Sequence, residues 1–517
     1  MSLQKKRTIS NSLFPGGISN KKYDWLLLSM LLGAFFLLST HAIPEGDTFW
    51  HIKSGEYIWQ HKSLPEGDPF GFVGEIDPWK NVTLTGFWLS QVGYHLIFSE
   101  ANTAGIILLR AVTITLILLF QYYWMRKNGV KSNLTIPFLL LVGFYLKDIG
   151  DRPQNFSFLF FAITAFSLES LRTDESPLFR ARWLVLPALM LLWPNIHGGF
   201  VMGAVLIVIY LIGELFRFYR EPARGFCVRR NGALYVISLG LTFCNPNTYH
   251  WHLYAWKLRN DYHTAFVQEY FSPMQAALLG KIHHTYWILI VFTVIVLVLT
   301  IKKIALEKFA VLLFVGLFSL KYQRGIPFFL MLTPLTALEF NNWVADRWKR
   351  VFKVLSVSCI VLLFLFVLRD KSSIFDRSLS DKFPVEAVKF MNEVKPTGRV
   401  FHFSDWGGYL MVYAPEYKVF HDNRFLSNRM LFFHHAILMG ENWKKFLTDY
   451  QFDIILIPTT MPVSNKLFPL VFELFKDNGW HLVYKDKTAF IYLRSGRNND
   501  MIIEKYMLPK NPVLLSY

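Results

Sequence analysis

The sequence predicts an α-helical polytopic membrane protein of about eleven transmembrane helices, followed by a C-terminal extracytoplasmic α/β domain. Three observations carry this expectation. Of the 517 residues 53% are hydrophobic and 17% aromatic, while only 18% are charged, a balance too apolar for an ordinary soluble chain. The apolar residues gather in runs that span, or nearly span, a bilayer. The Lys and Arg behind the net charge of +17 fall in short clusters between those runs, as topology signals do, which argues against nucleic acid as a partner.

In chain order, a basic tail (1–23) containing Lys5, Lys6 and Arg7 precedes the first apolar run, 24–43. That run is long enough to span and lacks a small-residue cleavage site, so it reads as a retained helix rather than a signal peptide. Further runs lie near 103–123, 134–147, 154–171, 183–194, 200–216, 232–244, 286–301, 309–320, 326–340 and 354–368. Several fall short of the roughly 20 residues a bilayer needs, so they are expected to extend into loops or end in a protein-lined cavity. Basic clusters at 126–131, 172–182, 217–230, 302–308 and 347–353 mark every second loop as cytoplasmic. The transmembrane module is therefore 24–368, with its N-terminus inside. The first loop (44–102), the turns near 147–154, 195–199 and 321–325, the loop 245–285 and the domain 369–517 face outward. Free nucleotide sugars and ATP are thereby excluded as donors.

The candidate chemistry lies on that outward side. Asp47 follows the first run, where a carboxylate sits at the lipid–water boundary within reach of a lipid-borne substrate. If Asp47 opens a helix, His51 shares its face four positions on; the alternative is an N-cap Asp on an interfacial helix. Phe87 to His95 reads as a second interfacial helix, and Asp68 as a turn residue. In Asp151-Arg152-Pro153-Gln154, Pro153 begins a helix whose amides point outward beside the Arg152 charge. That suits a phosphate, or merely anchors the helix end. Asn195 and His197, beside Gly198 and Gly199, offer neutral donors and acceptors for sugar hydroxyls; a packing role for His197 is the alternative. Glu269 is the acid of the 245–285 loop able to reach a shared cavity, and Arg324 repeats the helix-end arginine. The histidines lack metal-ligand spacing, and Cys227, Cys244 and Cys359 form no disulfide framework. No P-loop, nucleotide fingerprint, His-Glu-x-x-His or Gly-x-Ser-x-Gly occurs.

Beyond Arg369 the pattern changes. Strands are expected over 399–404, at 418–424 and over 452–458, a helix over 463–476 and a closing hairpin over 481–493. Asp405, Asp422 and Arg424 read as turn and strand-end residues, with binding roles the alternative.

As a set these motifs resemble the glycosyltransferase C superfamily, and more closely a bacterial family of polytopic proteins. The shared features are Asp47, Trp50 and His51; Pro65, Asp68, Pro69 and Phe70; Trp88 and Leu89; and Arg152, Pro153 and Gln154. They continue with Trp193, Asn195, His197, Gly198, Gly199 and Phe200; Asn245 and Pro246; Glu269 to Pro273; and Gly407 to Leu410 with Asp422 and Arg424. The resemblance implies a bacterial inner-membrane enzyme that moves a sugar from a polyprenyl-phosphate donor to a glycan, lipid or protein acceptor. It implies Asp47 at the reaction centre; the site expected around it has Asp47 as general base with His51 able to tune it, and substrate contacts from Arg152, Gln154, Asn195, His197, Glu269 and Arg324. Some members pair two acids around a divalent metal; Gly46-Asp47-Thr48 has no second adjacent acid, so no cofactor is expected and a metal is not favoured. The rival readings are a flippase or transporter for a lipid-linked sugar, which should carry charges deep within several helices, and a non-catalytic envelope scaffold.

Overall fold

The computed structural model describes residues 18–174, 180–220, 225–344, 346–369, 379–462, 464, 466–496 and 498–509. The basic tail to residue 17 lies outside them. The chain is mostly helical, with a small C-terminal sheet. Every apolar run of the sequence coincides with helix. Among the described residues three helices are long and apolar enough to cross a membrane: Trp88–Lys127, Gln154–Thr173 and Phe200–Arg220. Ser132–Leu146 and His284–Thr300 are apolar but shorter.

Two runs are broken. Residues 183–194 become a 3-10 turn, the helix Val185–Leu192 and a second turn, Trp193–Asn195, containing Pro194. Residues 326–340 divide into Ile326–Met331 and Thr333–Trp343 at Leu332, because Pro334 has no N–H to continue the ladder. The expected interfacial helix at 87–95 is the first part of Trp88–Lys127, which kinks at Asn102 (φ 50°, ψ −147°). Exposed apolar side chains recur at helical spacing on the bundle surface, as with Leu108, Val112, Leu116 and Leu119, or Ile288, Val291, Ile295 and Val298.

In the C-terminal domain β1 (Arg399–His402) pairs parallel with β2 (Phe452–Pro458). β4 (Ala489–Arg494) lies antiparallel between β2 and β3 (Trp480–Lys485), giving the order β1-β2-β4-β3. β2 is buried along its whole length, as its unbroken apolar run anticipates. The strand expected at 418–424 is absent. Val419 makes a single parallel bridge to Gly71, and the Asp422 carboxylate accepts the Arg424 N–H at 2.9 Å, turning the chain.

This domain shares a core with the first loop. Helix α1 (Asp47–His61) lies against α2 (Gly407–Tyr413), and fully buried Phe49 meets Phe383, Tyr409 and Tyr413 edge-on at 5.4–5.6 Å. Burying that ring contributes about 1.5–3 kcal/mol and each aromatic pair about 0.5–1.5 kcal/mol more. Backbone bonds continue the seam: Phe72 N–H to Val419 O, Val419 N–H to Phe70 O, Asp77 N–H to Leu426 O and Ser380 N–H to Ile43 O. Asp68 makes the local turn expected of it through the Phe70 N–H, and also receives both Arg424 Nη atoms at 2.7 and 2.9 Å. Arg424, 1% exposed at its side chain, binds Asp422 as well.

Candidate functional site

Asp47 opens α1 directly after Gly46, so the helix N-terminus favours its charge. Thr48 donates to the Asp151 carbonyl at 2.9 Å, fixing α1 against the turn that carries Arg152. That turn is braced beneath by Arg110, which donates to Asp151 Oδ2 at 2.6 Å and to the Ser39 and His41 carbonyls. Arg152 reaches three carboxylates: Glu45 at 2.6 Å, Asp47 at 3.1 Å and Glu269, its closest partner. The four side chains keep 17–34% exposure, so water reaches the edge of the cluster, while Glu45 Oε2 and Asp47 Oδ1 are buried within it.

Arg152 does not stand as a free charge awaiting a phosphate. Its guanidinium is engaged by acids from two other loops, and a phosphate would have to displace one of them. One cation cannot satisfy three anions, and their ionisation separates accordingly. Burial, then repulsion by Glu269 and Asp47 against the pull of Arg152, pushes Glu45 up to about 7. Asp47 is also raised, by burial and by Glu269, with Arg152 opposing. Glu269 moves the other way, to about 2: burial disfavours its charge, but Arg152 and Arg324 outweigh burial. Asp47 Oδ1 is buried and accepts no well-aligned hydrogen bond, although Trp50 and Asn423 lie close enough to favour its charge.

His51 shares the Asp47 face of α1, but it is 3% exposed and stacked on Trp50 at 3.5 Å, with Phe87 at 5.2 Å. Burial, His197 and Arg152 hold its pKa well below the ordinary value. It is a neutral ring packed among aromatics, and the expected pairing with Asp47 is not formed. His197 is better defined. Its Nδ1 accepts the Gly199 N–H at 2.9 Å and contacts Ser157 Oγ at 2.8 Å, while Ser157 Oγ accepts the Trp193 indole N–H. Because Nδ1 accepts the Gly199 N–H it carries no proton, which assigns the proton to Nε2 and leaves Nε2–H as a donor. Burial, Arg324 and Arg152 lower its pKa to about 3, so the ring is neutral.

Asn195 is committed elsewhere. Its Oδ1 accepts from the Trp88 indole, and its amide donates to the Leu191 and Cys244 carbonyls. It braces two loops, a correction to its expected role at sugar hydroxyls. Gln154 is half-buried in the first turn of its helix, beside Arg152. Arg324 lies 4.7 Å over the Tyr270 ring and hydrogen-bonds its hydroxyl. Gln323 binds the Gln268 carbonyl, so the Glu269 and Arg324 loops are stitched together.

Among the described residues no group of three or more His, Cys, Asp or Glu is arranged to hold a metal ion. No protein-family model matches the chain, and a search of curated proteins finds no match. The site therefore rests on its geometry.

Two residues beside Asp47, Glu45 and Asn423, escape the sequence reading, and a third, Asp405, is read there first as a turn residue. Glu45 was separated from Asp47 by Gly46 and not read as its partner. Asp405 and Asn423 come from the C-terminal domain. The Asp405 backbone lies against Gly46, and an added Cβ at Gly46 would stand 1.9 Å from the Asp405 carbonyl oxygen. At Gly408 it would stand 2.4 Å from the Gly46 oxygen. Gly407-Gly408 was the available signal, since adjacent glycines admit this backbone approach.

Proposed function

We propose that the protein is a polytopic glycosyltransferase of the bacterial inner membrane. It moves a sugar from a polyprenyl-phosphate donor to an acceptor hydroxyl on the extracytoplasmic side. The observation that carries this reading is the meeting of Asp47, Arg152 and Glu269, from three separate connections between apolar helices, in one partly exposed cluster with His197 and Arg324 near it. The exposed apolar stripes suit a lipid-facing bundle, and the shorter helices would reach a bilayer's thickness with their flanking turns.

In this mechanism the donor phosphate takes Arg152 from one or more of its carboxylates. Asp47, losing its cation, becomes a stronger base as the donor arrives. The acceptor oxygen bonds to the anomeric carbon while that carbon's bond to the phosphate oxygen breaks. The hydroxyl proton passes to Asp47, and polyprenyl phosphate leaves, its charge held by Arg152 and Arg324. The His197 Nε2–H orients a sugar hydroxyl.

A transporter for the same lipid is the second reading, favoured by one observation. Lys308 contacts Glu169 and Glu339 at 3.1 Å, and Arg217 joins Glu214 to Glu307, away from the Arg152 cluster. Along Gln154–Thr173, however, Glu169 stands about 22 Å from Gln154 at 1.5 Å per residue. The buried side chains between them are apolar apart from Asn155, Ser157, Thr164 and Ser167. No line of charge joins the two layers on this helix, which favours chemistry at one face over passage.

The test uses full-length protein in lipid nanodiscs with a panel of short polyprenyl-phosphate sugars, reading release of polyprenyl phosphate. Asp47→Asn is expected to lower release by about 10²–10⁴-fold. Turnover by the Asn variant within a few-fold of wild type removes Asp47 from the mechanism.

A further inference from the structure

The loop that supplies Glu269 goes on to build a small projection, and Gln323 ties both ends of it to the candidate site. The Gln323 N–H donates to the Phe271 carbonyl at 2.9 Å and its Nε2 to the Gln268 carbonyl at 2.6 Å, while its Oε1 meets His283 Nε2 at 2.9 Å. The next residue is Arg324. Between those ties the helix Pro273–Leu278 is fixed at each end. Ser272 Oγ accepts the Gln275 N–H at 3.1 Å, and Gln275 Oε1 accepts the Ser272 N–H at 2.9 Å. At the other end Gly280, with φ 83°, turns the chain so that the Lys281 N–H reaches the Ala276 carbonyl at 2.9 Å. The projection is therefore a shaped element and not a loose loop.

Its outer face is apolar. Pro273 and Ala276 turn inward, whereas Met274, Leu278, Leu279 and Ile282 are all more than half exposed, Leu278 at 82%. A fixed display of four large apolar side chains is unfavourable in water. The helix lies against Leu306–Lys321, whose uncovered Leu313, Leu317 and Leu320 recur at helical spacing. At residue 284 the chain enters His284–Thr300, which carries the exposed stripe of Ile288, Val291, Ile295 and Val298. The patch thus extends the apolar surface of the bundle outward. Its charge has one sign, since no acid occurs from residue 270 to residue 306 and Lys281 ends the projection. Earlier in the same loop Leu253 and Trp256 are exposed, with Arg259 4.5 Å over the Trp256 ring, the aromatic and basic pairing of membrane–water boundaries.

We propose that residues 272–282 form a wedge seated in the outer leaflet of a lipid bilayer, holding Glu269 and Arg324 at the depth of lipid phosphates. The proposal rests on the reading of the bundle as lipid-facing with this side outward, and it does not require sugar transfer. A leaflet fits the patch better than a second copy of the chain, because the patch runs on into the lipid-facing stripes and carries cations where headgroup phosphates lie. Through Gln323 the wedge sets the height of the Arg152 cluster, so a lipid-borne phosphate meets Arg324 without leaving the leaflet surface.

Nitroxide labels on full-length protein in lipid nanodiscs test this without any transfer assay. In a Cys227→Ser, Cys244→Ser, Cys359→Ser background, labels are placed at Met274→Cys, Leu278→Cys and Ile282→Cys, with Lys445→Cys of the C-terminal domain as the aqueous control; all four positions are exposed. Power saturation compares collisions with oxygen, which concentrates in lipid, and with a water-soluble nickel chelate. The ratio of oxygen to chelate collisions at 274, 278 and 282 is expected to exceed that at 445 severalfold. A ratio at 278 no higher than at 445 overturns the proposal. So does exclusion of both reagents from 278, in which case spin–spin broadening marks a second copy as the cover. If oxygen dominates while transfer fails in every assay, the wedge stands and the enzyme reading falls; if transfer proceeds with the label at 278 in water, the wedge alone falls.

Discussion

Gly46→Ala tests how closely the proposed site depends on the domain seam. Gly46 has φ −66°, which any residue adopts, so the substitution acts through space alone. The new methyl would stand 1.9 Å from the Asp405 carbonyl oxygen, and ordinary contact begins at 3.4 Å. The backbones must therefore part by about 1.5 Å, the difference of those two distances, since a backbone oxygen cannot rotate aside. Overpacking of this kind costs about 1–3 kcal/mol. A displacement near 1 Å at a reaction centre lowers turnover by about 10²-fold. The assays are thermal unfolding in nanodiscs, followed by tryptophan fluorescence, and release of polyprenyl phosphate. Gly33→Ala is the control, because nothing lies within 4 Å of its Cβ and it falls inside the helix Ile18–Leu38. That change should be neutral or stabilising by up to about 1 kcal/mol. A Gly46→Ala protein that melts with wild type and retains its turnover refutes the close seam.

Two further changes probe buried charge. Arg424→Met strips the cation from Asp68 and Asp422 and should cost about 3–5 kcal/mol near neutral pH. Asp422 is held below the usual carboxylate range, since Arg424 outweighs burial. Its contribution to wild-type stability is thus present above about pH 4 and lost as pH falls through its lower folded value. In the variant the same acids pay to ionise, so the gap to wild type should narrow toward pH 4; a gap independent of pH contradicts the account. Glu45→Gln tests the opposite case. With Glu45 pushed up to about 7 against an unfolded value near 4.3, the native chain binds the extra proton between them. Wild-type stability should therefore decline from about pH 4.3 to 7, and Glu45→Gln should remove part of that decline. Melting temperatures at pH 5 and pH 8 that change in parallel for both proteins would exclude it.

Much of the architecture was readable from periodicity and composition. The apolar runs coincide with helices, and the tail pattern anticipated the buried β2 and the hairpin of β3 and β4. Breaks inside runs were harder, because Leu332 yields to a proline two residues on and Asn102 kinks a helix that looks continuous by hydropathy. At 418–424 the expected strand gives way to a turn, where the Arg424 N–H donates to the Asp422 carboxylate. At the site, the sequence offered residue types without partners. It marked Arg152 as a fixed charge but not that three acids would claim it, and it made Asn195 a free donor when Trp88, Leu191 and Cys244 engage it. Asp405 and Asn423 carry no local pattern pointing to Asp47, since only tertiary contact joins them.

The ionic lock between Asp68 and Arg424 joins residues 356 positions apart. A ribosome makes the first of them long before the second, so Asp68 and the aromatic flank of Phe49 must wait for nearly the whole polypeptide before either is covered. A nascent chain halted before residue 424 cannot close the lock, and it leaves a sticky, acid-bearing surface. Synthesis past residue 424 thereby becomes a condition for closing that lock.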